Sequence, residues 1–286
     1  MIAGYAASPD ATNFPDPLVL PKPAMFLQHV QLFRGLYEYG AAIRIVDNDV
    51  VVTIDGVSFY ARVIDDLRFV AEIFLLRTYN FMLERECCVI DIGMNIGLVS
   101  LRFAREEIVK EVHSFEPLKR TYDRALANLS LNPEIAGKIF AHNIGLAEAD
   151  EDGTILVGDV DDSGAFTIGG SAIGGPEQIS VRNAATTLKP IIDAAKANGR
   201  DIVAKVDCEG SEFAIFPTLE AHGLLADVSV FMVEWHGGDR DLSQRELIAP
   251  LIRHDFVVFD LAGRSGNGFF YAVRRWREAP EKALPG

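Results

Sequence analysis

The sequence predicts an α/β fold in which a largely parallel sheet is covered by helices on both faces. From Cys87 onward, short apolar runs alternate with segments whose apolar residues recur at helical spacing, the pattern of strands joined by crossover helices. The run Val89-Ile90-Asp91 ends on an acid and passes at once into the turn Gly93-Met94-Asn95-Ile96-Gly97. A second acid, Glu116, closes the next strand, 25 residues after Asp91. Sheets of this kind bind ligands at the carboxyl ends of their strands, where the strand order reverses.

The chain opens with Pro9, Pro15, Pro17, Pro21 and Pro23, which block regular helix, so residues 1–24 read as an extended proline-rich arm. Residues 25–86 read as a small α+β N-terminal extension. Within it, Phe26, Leu27, Val30, Phe33, Leu36 and Tyr37 recur at helical spacing over Met25 to Tyr39, and Gly40 ends that helix. Ile43 to Val46 and Val50 to Ile54 form a hairpin around Asp47-Asn48-Asp49, with Val57 to Val63 a third strand. Asp65-Asp66 then caps a helix over Leu67 to Leu83.

Residues 87–276 form the main domain, followed by a tail over 277–286. Its predicted order is strand Val89 to Asp91, helix Ile96 to Arg105, strand Val112 to Phe115, helix Thr121 to Leu131 and strand Lys138 to Ala141. An irregular middle, Ala147 to Gln178, holds a strand over Thr154 to Val157 and a glycine-rich loop over Gly158 to Pro176, long enough to act as a lid. Helix Leu188 to Ala197, strand Ile202 to Val206, helix Ser211 to Leu219, strand Val228 to Val233, helix Ser243 to Arg253 and strands Phe256 to Phe259 and Phe269 to Val273 complete the order.

Composition narrows the function. Of 286 residues, 27 are Lys or Arg and 41 are Asp or Glu, a net charge of −14. Nucleic acid and anionic membranes are therefore poor partners, because phosphate binding draws on clustered cations. No apolar run has the roughly 18 residues of a spanning helix, and the start of the chain lacks the pattern of a secretory signal, so a cytoplasmic location is expected. The three cysteines, Cys87, Cys88 and Cys208, are no disulfide framework and read as buried thiols. His29, His113, His142, His222 and His254 read as structural. Phe14, Phe26 and Phe33 read as core or oligomer contacts, with a homo-oligomer built through the N-terminal extension left open.

The strand tips carry the chemistry. Gly93 and Gly97 let a ligand approach the backbone, and Asn95 tolerates a left-handed conformation. Glu116 suits a bidentate hydrogen bond to the two hydroxyls of a ribose. Together they predict a nucleoside-type cofactor. The dinucleotide fingerprint wants glycine where this chain has Asn95 and Leu98, and Asp91 at the strand tip repels a pyrophosphate but suits an ammonium. S-adenosylmethionine carries both an ammonium and a sulfonium.

At these residues the sequence resembles the FkbM-type S-adenosylmethionine-dependent methyltransferases. The resemblance spans roughly Glu72 to Arg274 and rests on Val89 to Gly97, with Met94 where the family has Ala. It rests also on Phe115-Glu116-Pro117, Asn128 and Asn132, Thr187-Leu188, Lys205-Val206-Asp207-Cys208-Glu209-Gly210-Ser211-Glu212 and Glu234-Trp235-His236. It implies a class I methyltransferase fold and transfer of a methyl group to a hydroxyl oxygen of a small molecule such as a sugar or polyketide, leaving S-adenosylhomocysteine. The cofactor would meet Glu72, Asp91, Gly93, Asn95, Gly97, Glu116, Asn143 and Asp207.

Reading the residues themselves, Lys205, Asp207, Glu209 and Glu212 converge on one turn after a strand. There Asp207 and Glu209 act at the site, while Lys205 neutralises buried acids and Glu212 complements a helix dipole. Glu234 and His236 follow another strand of the same sheet and point to one side. A hydroxyl must lose its proton as it attacks the methyl carbon, and a near-neutral His236 is expected to be the base, with Asp207 the alternative. A divalent cation held by Asp207, Glu209, Glu234 and His236 is a lesser alternative. Two other classes remain, a nicotinamide-dependent oxidoreductase and a non-catalytic nucleoside-binding module.

Overall fold

Alternation along two central strands sets the architecture. In the computed structural model, which describes residues 29–46, 49–156, 176–237, 242–264 and 266–275, strands β4 (Cys87–Ile92) and β10 (Asp201–Val206) are buried at every position. Cys87 and Val89 face one hydrophobic core, and Cys88, Ile90 and Ile92 face another. Strands with cores on both faces read as continuous apolar runs, as these do.

The two strands lie side by side at the centre of a seven-stranded sheet of order β12-β13-β11-β10-β4-β5-β6. Strands β5 (Val109–Phe115) and β6 (Ile139–His142) extend it one way, and β11 (Val230–His236), β13 (Asn267–Arg274) and β12 (Phe256–Arg264) the other. All pairings are parallel except those of β13, which is antiparallel to both neighbours. The chain order runs outward from β4 to β6, then returns to β10, so the topological switch falls between β4 and β10. The carboxyl ends of these two strands are where a ligand site is expected.

Helices α3 (Leu98–Ala104) and α4 (Lys119–Ser130) connect the strands on one side, and α5 (Pro133–Ala136) precedes β6. The opposite core takes Leu188 and Ile192 from α6 (Ala184–Ala197), Ile215 and Phe216 from α7 (Glu212–Ala221), and Leu247 and Leu251 from α8 (Gln244–Arg253). The first core is shared with the N-terminal segment. Phe33 and Leu36 of α1 (Val30–Glu38), Val52 of β2 (Asp49–Ile54) and Phe59 of β3 (Val57–Tyr60) join Val89, Val112 and Val203. The meander β1 (Ala42–Val46)–β2–β3 is antiparallel throughout.

Two asparagines of the helical side tie this meander down. Asn132 accepts from the Ser58 N–H at 2.8 Å and donates to the Ser58 carbonyl at 2.7 Å, completing both backbone groups of one residue on β3. Asn128 accepts from the Tyr60 N–H at 2.9 Å and donates to the Ile96 carbonyl at 2.8 Å. A side-chain amide thus replaces the missing neighbour of a strand, which buried backbone groups require.

Several expected elements change. The helix expected over Leu67 to Leu83 is instead α2 (Ile64–Val70), followed by one π-helical turn over Ala71–Leu75 and irregular chain beyond it. The π turn is closed by Leu76 N–H donating to the Ala71 carbonyl, and Arg77 takes φ +55°, which no helix continues through. Its cap also differs. Val63 is the N-cap, and the Asp66 carboxylate reaches back to the N–H groups of Arg62 (2.7 Å) and Val63 (3.0 Å) while pairing with Arg124.

The irregular middle hides a second small sheet, β7 (Gly145–Ala147)–β9 (Pro176–Asn183)–β8 (Glu151–Leu156). The arm over 1–24, the start of the first helix at 25–28, nearly all of the loop over 158–176, and the tail lie outside the described residues.

Asn132→Ala leaves a half-buried N–H and carbonyl of Ser58 without their Asn132 partners. It is expected to cost about 2–4 kcal/mol, read as a lower midpoint in chemical denaturation, whereas an exposed control such as Lys189→Ala shifts it by less than about 0.5 kcal/mol.

Candidate active site

A cavity of about 220 Å³ opens at the switch point. Its floor is the turn after β4. Gly93 has φ +85°, and a Cβ there would sit 1.7 Å from the Asp207 carbonyl oxygen, so no side chain fits between the ends of β4 and β10. Asn95 takes φ +49° and accepts from the Ile96 N–H at 2.8 Å, the left-handed turn expected of it. Gly97 is also left-handed and caps α3. It packs on Ala125 and Leu129, beneath the turn and not in the cavity wall.

Glu116 stands at one end of the cavity. One carboxylate oxygen accepts from Asn95 N–H and the other from Leu118 N–H, both at 3.0 Å, and each keeps a second lone pair. Burial pushes its carboxyl up to about 7 against those two N–H groups. Around it the wall is apolar, formed by Phe115, Pro117, Leu118, Leu146, Ile179 and Val181. Asn143 is not in that wall. Its amide donates to the carbonyls of Glu116 (2.8 Å) and Pro117 (3.1 Å), so the expected cofactor contact becomes a brace for the Glu116 turn.

The other end is acidic. Glu72, Asp207, Glu209 and Glu234 all line it, together with Lys205, His236 and Tyr79. Asp91 does not. It has no exposed surface, accepts from Ser100 Oγ at 2.5 Å and pairs with Lys205 Nζ at 3.3 Å. Alternation along β4 turns its side chain into the α3 face, so the cation it meets is Lys205 and not, as expected, a ligand ammonium.

Lys205, only 2% exposed, also pairs with Asp207 Oδ2 at 3.4 Å and donates to the Gly93 carbonyl. Burial opposes its charge, yet Asp91 and Asp207 hold its pKa above the ordinary lysine value.

His236 departs from the expectation of a near-neutral base. Burial alone would lower its pKa, but Glu212, Glu209 and Asp207 raise it to about 9. Glu212, fully buried, accepts from the backbone N–H groups of Gly210 (2.8 Å) and His236 and lies 3.6 Å from His236 Nδ1. Glu234 Oε1 and Glu209 Oε2 lie 3.7 and 3.9 Å from Nε2. In the ligand-free cavity these acids hold the ring toward its charged form.

Asp207, Glu209 and His236 bring ligand atoms within 4.8 Å of one another. These residues could hold a divalent cation at the expense of the charge pairing that raises the His236 pKa. Burial raises the carboxyls of Glu209 and Glu234 to about 7, and Glu72 is raised as well, by burial and then by Asp207.

Sequence reasoning missed Tyr79, whose hydroxyl lies 3.4 Å from Asp207 Oδ2 and 3.3 Å from Glu234 Oε2. It missed Ile179 and Val181 too, because β9 was hidden in the glycine-rich middle. No local signal marks Tyr79. Cys87, Cys88 and Cys208 are free thiols, the first two buried and pushed up to about 12 by that burial. His113 and His142 stack with Phe140 and Phe115 and are lowered by burial, in keeping with structural roles.

A strand-edge cavity on this sheet defines a class I methyltransferase fold. The Methyltransferase FkbM domain matches residues 91–258, more than half of the chain, and the chain belongs to that family. The match sets aside the oxidoreductase reading. Comparison with curated proteins found no match.

Among solved structures, a methyltransferase FkbM from Methylobacillus flagellatus KT is 16% identical with a TM-score of 0.42, covering 87% of this chain and 60% of that one. TrmK of M. capricolum, in complex with S-adenosyl-homocysteine, is 10% identical with a TM-score of 0.41 over 73% and 71%. The magnesium protoporphyrin IX methyltransferase of Synechocystis PCC 6803, with bound SAM, is 10% identical with a TM-score of 0.38 over 74% and 79%. The family assignment rests on the domain match.

The protonated site sets a pH dependence. Folded Glu209 and Glu234 hold protons up to about 7 against 4.5 for the free side chain, and His236 holds one up to about 9 against 6.5. The native state therefore binds more protons than the unfolded state across both windows, and stability falls as pH rises through them. Thermal denaturation of the ligand-free protein is expected to show Tm declining from about pH 5 to about pH 9. His236→Gln should flatten the upper part, above about 6.5, and a Tm that rises across that part in the parent protein contradicts the assignment.

Proposed function

We propose that this chain transfers the methyl group of S-adenosylmethionine to a hydroxyl oxygen of a small molecule. The observation that carries the cofactor is the polarity of the one cavity. A nucleoside fits an end where Glu116 offers two lone pairs beside apolar walls. A methionine group with its ammonium and sulfonium fits an end where Glu72, Asp207, Glu209 and Glu234 outnumber the cations Lys205 and His236. Carboxyls held near 7 without a ligand are groups short of positive charge, which such a ligand supplies.

The lining also supports the acceptor class. Five acids against two cations disfavour a phosphate backbone and leave an RNA acceptor as the less suited alternative. In the transfer, the acceptor oxygen attacks the methyl carbon, the carbon–sulfur pair leaves on sulfur, and the hydroxyl proton passes to a carboxylate. The sulfonium charge vanishes as that proton arrives, so the pole keeps its net charge. His236, Asp207 and Glu234 all stand at that end to take the proton, and the raised pKa of His236 in the free cavity favours the two carboxylates.

The three free thiols support a reducing, cytoplasmic setting. No helix among the described residues is long and apolar enough to cross a membrane. The boundaries at 86/87 and 276/277 stand as the proposed division into extension, catalytic domain and tail.

Binding to the native state alone raises Tm by mass action. S-adenosylmethionine and S-adenosylhomocysteine are expected to raise it in thermal-shift measurements while NAD does not. Glu116→Ala should weaken both adenosyl ligands by roughly ten- to a hundredfold, the loss of hydrogen bonds to a charged acceptor. Equal stabilisation by NAD, or unchanged affinity in Glu116→Ala, overturns the cofactor assignment.

A further inference from the structure

Two neighbouring strands carry a second set of ligand side chains, toward their amino ends and so away from the cavity. Along β4 and β5 the register slips once. Cys87 lies opposite Val109, but Cys88 lies opposite Glu111. The extra residue in β5 leaves Val109 and Val112 both facing the first core, three positions apart. By alternation, Glu111, His113 and Phe115 then share the face that carries Cys88 and Ile90. Such irregularities are rare between parallel strands and commonly re-aim a side chain. Here the slip brings Glu111, and not Lys110, beside Cys88.

The result is a thiol, a carboxylate and an imidazole whose ligand atoms all lie within 4.8 Å of one another. None of the three lines the cavity. Cys88 is fully buried, and its Sγ makes only a weak contact with the Val89 carbonyl at 4.0 Å. His113 Nε2 lies 3.5 Å from Glu111 Oε2, while Nδ1 is buried without a partner among the described residues, a state that buried polar atoms rarely keep. Arg200 Nη1 donates to Glu111 Oε1 at 2.6 Å, which leaves Oε2 on the His113 side. The His113 ring stacks with Phe140 and His142, 4.9 and 5.8 Å between centroids. Stacking accounts for the faces of the ring and not for its edge, where the nitrogens stand near a carboxylate and a thiol.

We propose that Cys88, Glu111 and His113 form a binding site for one divalent cation of the zinc class, which clips β4 to β5 away from the cavity. Thiolate, imidazole and carboxylate are the protein donors that zinc takes, with bonds of about 2.0–2.3 Å. Tetrahedral ligand atoms then lie about 3.5 Å apart, so the set tightens by about an ångström as the ion enters. Water takes the fourth position. The Glu111 carboxylate and the Cys88 thiolate together match the charge of the ion. The thiol proton leaves to solvent as the metal–sulfur bond forms, so binding releases one proton.

Arg200 stays on Oε1 and orients the carboxylate, as outer partners of metal ligands do. The side chains of Glu111 and His113 are 32% and 15% exposed, and the ion enters past them. Sulfur sets this site apart from Asp207, Glu209 and His236, whose donors are oxygen and nitrogen, and it favours zinc over magnesium or calcium.

The test uses the full-length, ligand-free protein, stripped of metal and kept reduced, with Co²⁺ as the probe because thiolate-to-cobalt charge transfer reports a sulfur ligand. The parent protein is expected to bind one Co²⁺ with that absorption band, and Zn²⁺ to displace it. Cys88→Ser should abolish the band, whereas Cys87→Ser and Cys208→Ser keep it. Glu111→Gln and His113→Gln, at partly exposed positions, should each weaken Co²⁺ at least about tenfold, and His236→Gln should leave its affinity unchanged.

If Cys88→Ser fails to fold, the parent spectrum and the Glu111 and His113 variants decide. No charge-transfer band in the parent, a band that survives Cys88→Ser or is lost in Cys208→Ser, or unchanged affinity in both Glu111→Gln and His113→Gln overturns the proposal. Loss of Co²⁺ binding in His236→Gln places the ion in the cavity and overturns it as well.

Discussion

The site depends on one buried ammonium. Lys205 arrives on β10, beneath the turn that leaves β4, and ties the Gly93 carbonyl, Asp91 and Asp207 to one point. Each of these groups would be costly to bury alone. Taking a lysine and two carboxylates out of water costs several kcal/mol per ion, and such clusters seldom add net stability. What the cluster does here is fix geometry. The Gly93 turn runs so close to the end of β10 that a Cβ there would lie 1.7 Å from the Asp207 carbonyl oxygen, and the lysine ties the two strand ends together while leaving Asp207 facing the cavity. Asp91, expected at the ligand, works one layer back as the counter-charge that keeps Lys205 ionised.

Beyond Lys205 the charges do not balance. Asp91 and Asp207 share Lys205, and Glu212, Glu234 and Glu209 share His236, so the acids outnumber the cations. Burial and the neighbouring like charges raise the carboxyls of Glu72, Glu209 and Glu234. A surface that accepts this cost in the free state is preorganised for a positively charged occupant, because the ligand then supplies the charge that protons otherwise must. The same crowding of acids holds His236 toward its charged form in the free cavity.

Much of this was legible in the sequence, for identifiable reasons. Strand periodicity and the glycine-flanked Asn95 are local properties, and they placed β4, the turn and α3 within a residue or two. Glu116 was legible because its distance from Asp91 is set by one crossover. The direction of Asp91 was not, since parity along a buried strand shows only that a residue alternates and not which face carries the lysine.

The pKa of His236 was hidden because Glu212 reaches it from 24 residues earlier in the chain. Glu212 itself read as dipole complementation, as any acid in a first helical turn would. Tyr79 and β9 were hidden for opposite reasons. A π turn erases the helical spacing that would have oriented Tyr79, and glycine-rich sequence before β9 masked a strand whose pairing partners lie in β7 and β8.

The π turn deserves its place in the causal chain because it couples the N-terminal segment to the chemistry. Asn128 and Asn132 clamp β3 to the helical side of the sheet, and Asp66 fixes the start of α2 through Arg62, Val63 and Arg124. From that anchored start, α2 projects Phe69 toward the cavity, and the turn after it adds Glu72 and Ile73. A regular helix would carry its next residues past the opening at 1.5 Å each. The widened turn and the left-handed Arg77 instead reverse the chain so that Tyr79 enters between Asp207 and Glu234. All four residues precede position 91, where the family match begins. The wall at the acidic end is therefore assembled from both sides of that boundary. Residues 29–86 thus reach the chemistry through Tyr79 beside Asp207 and Glu234, at the end of the cavity away from Glu116.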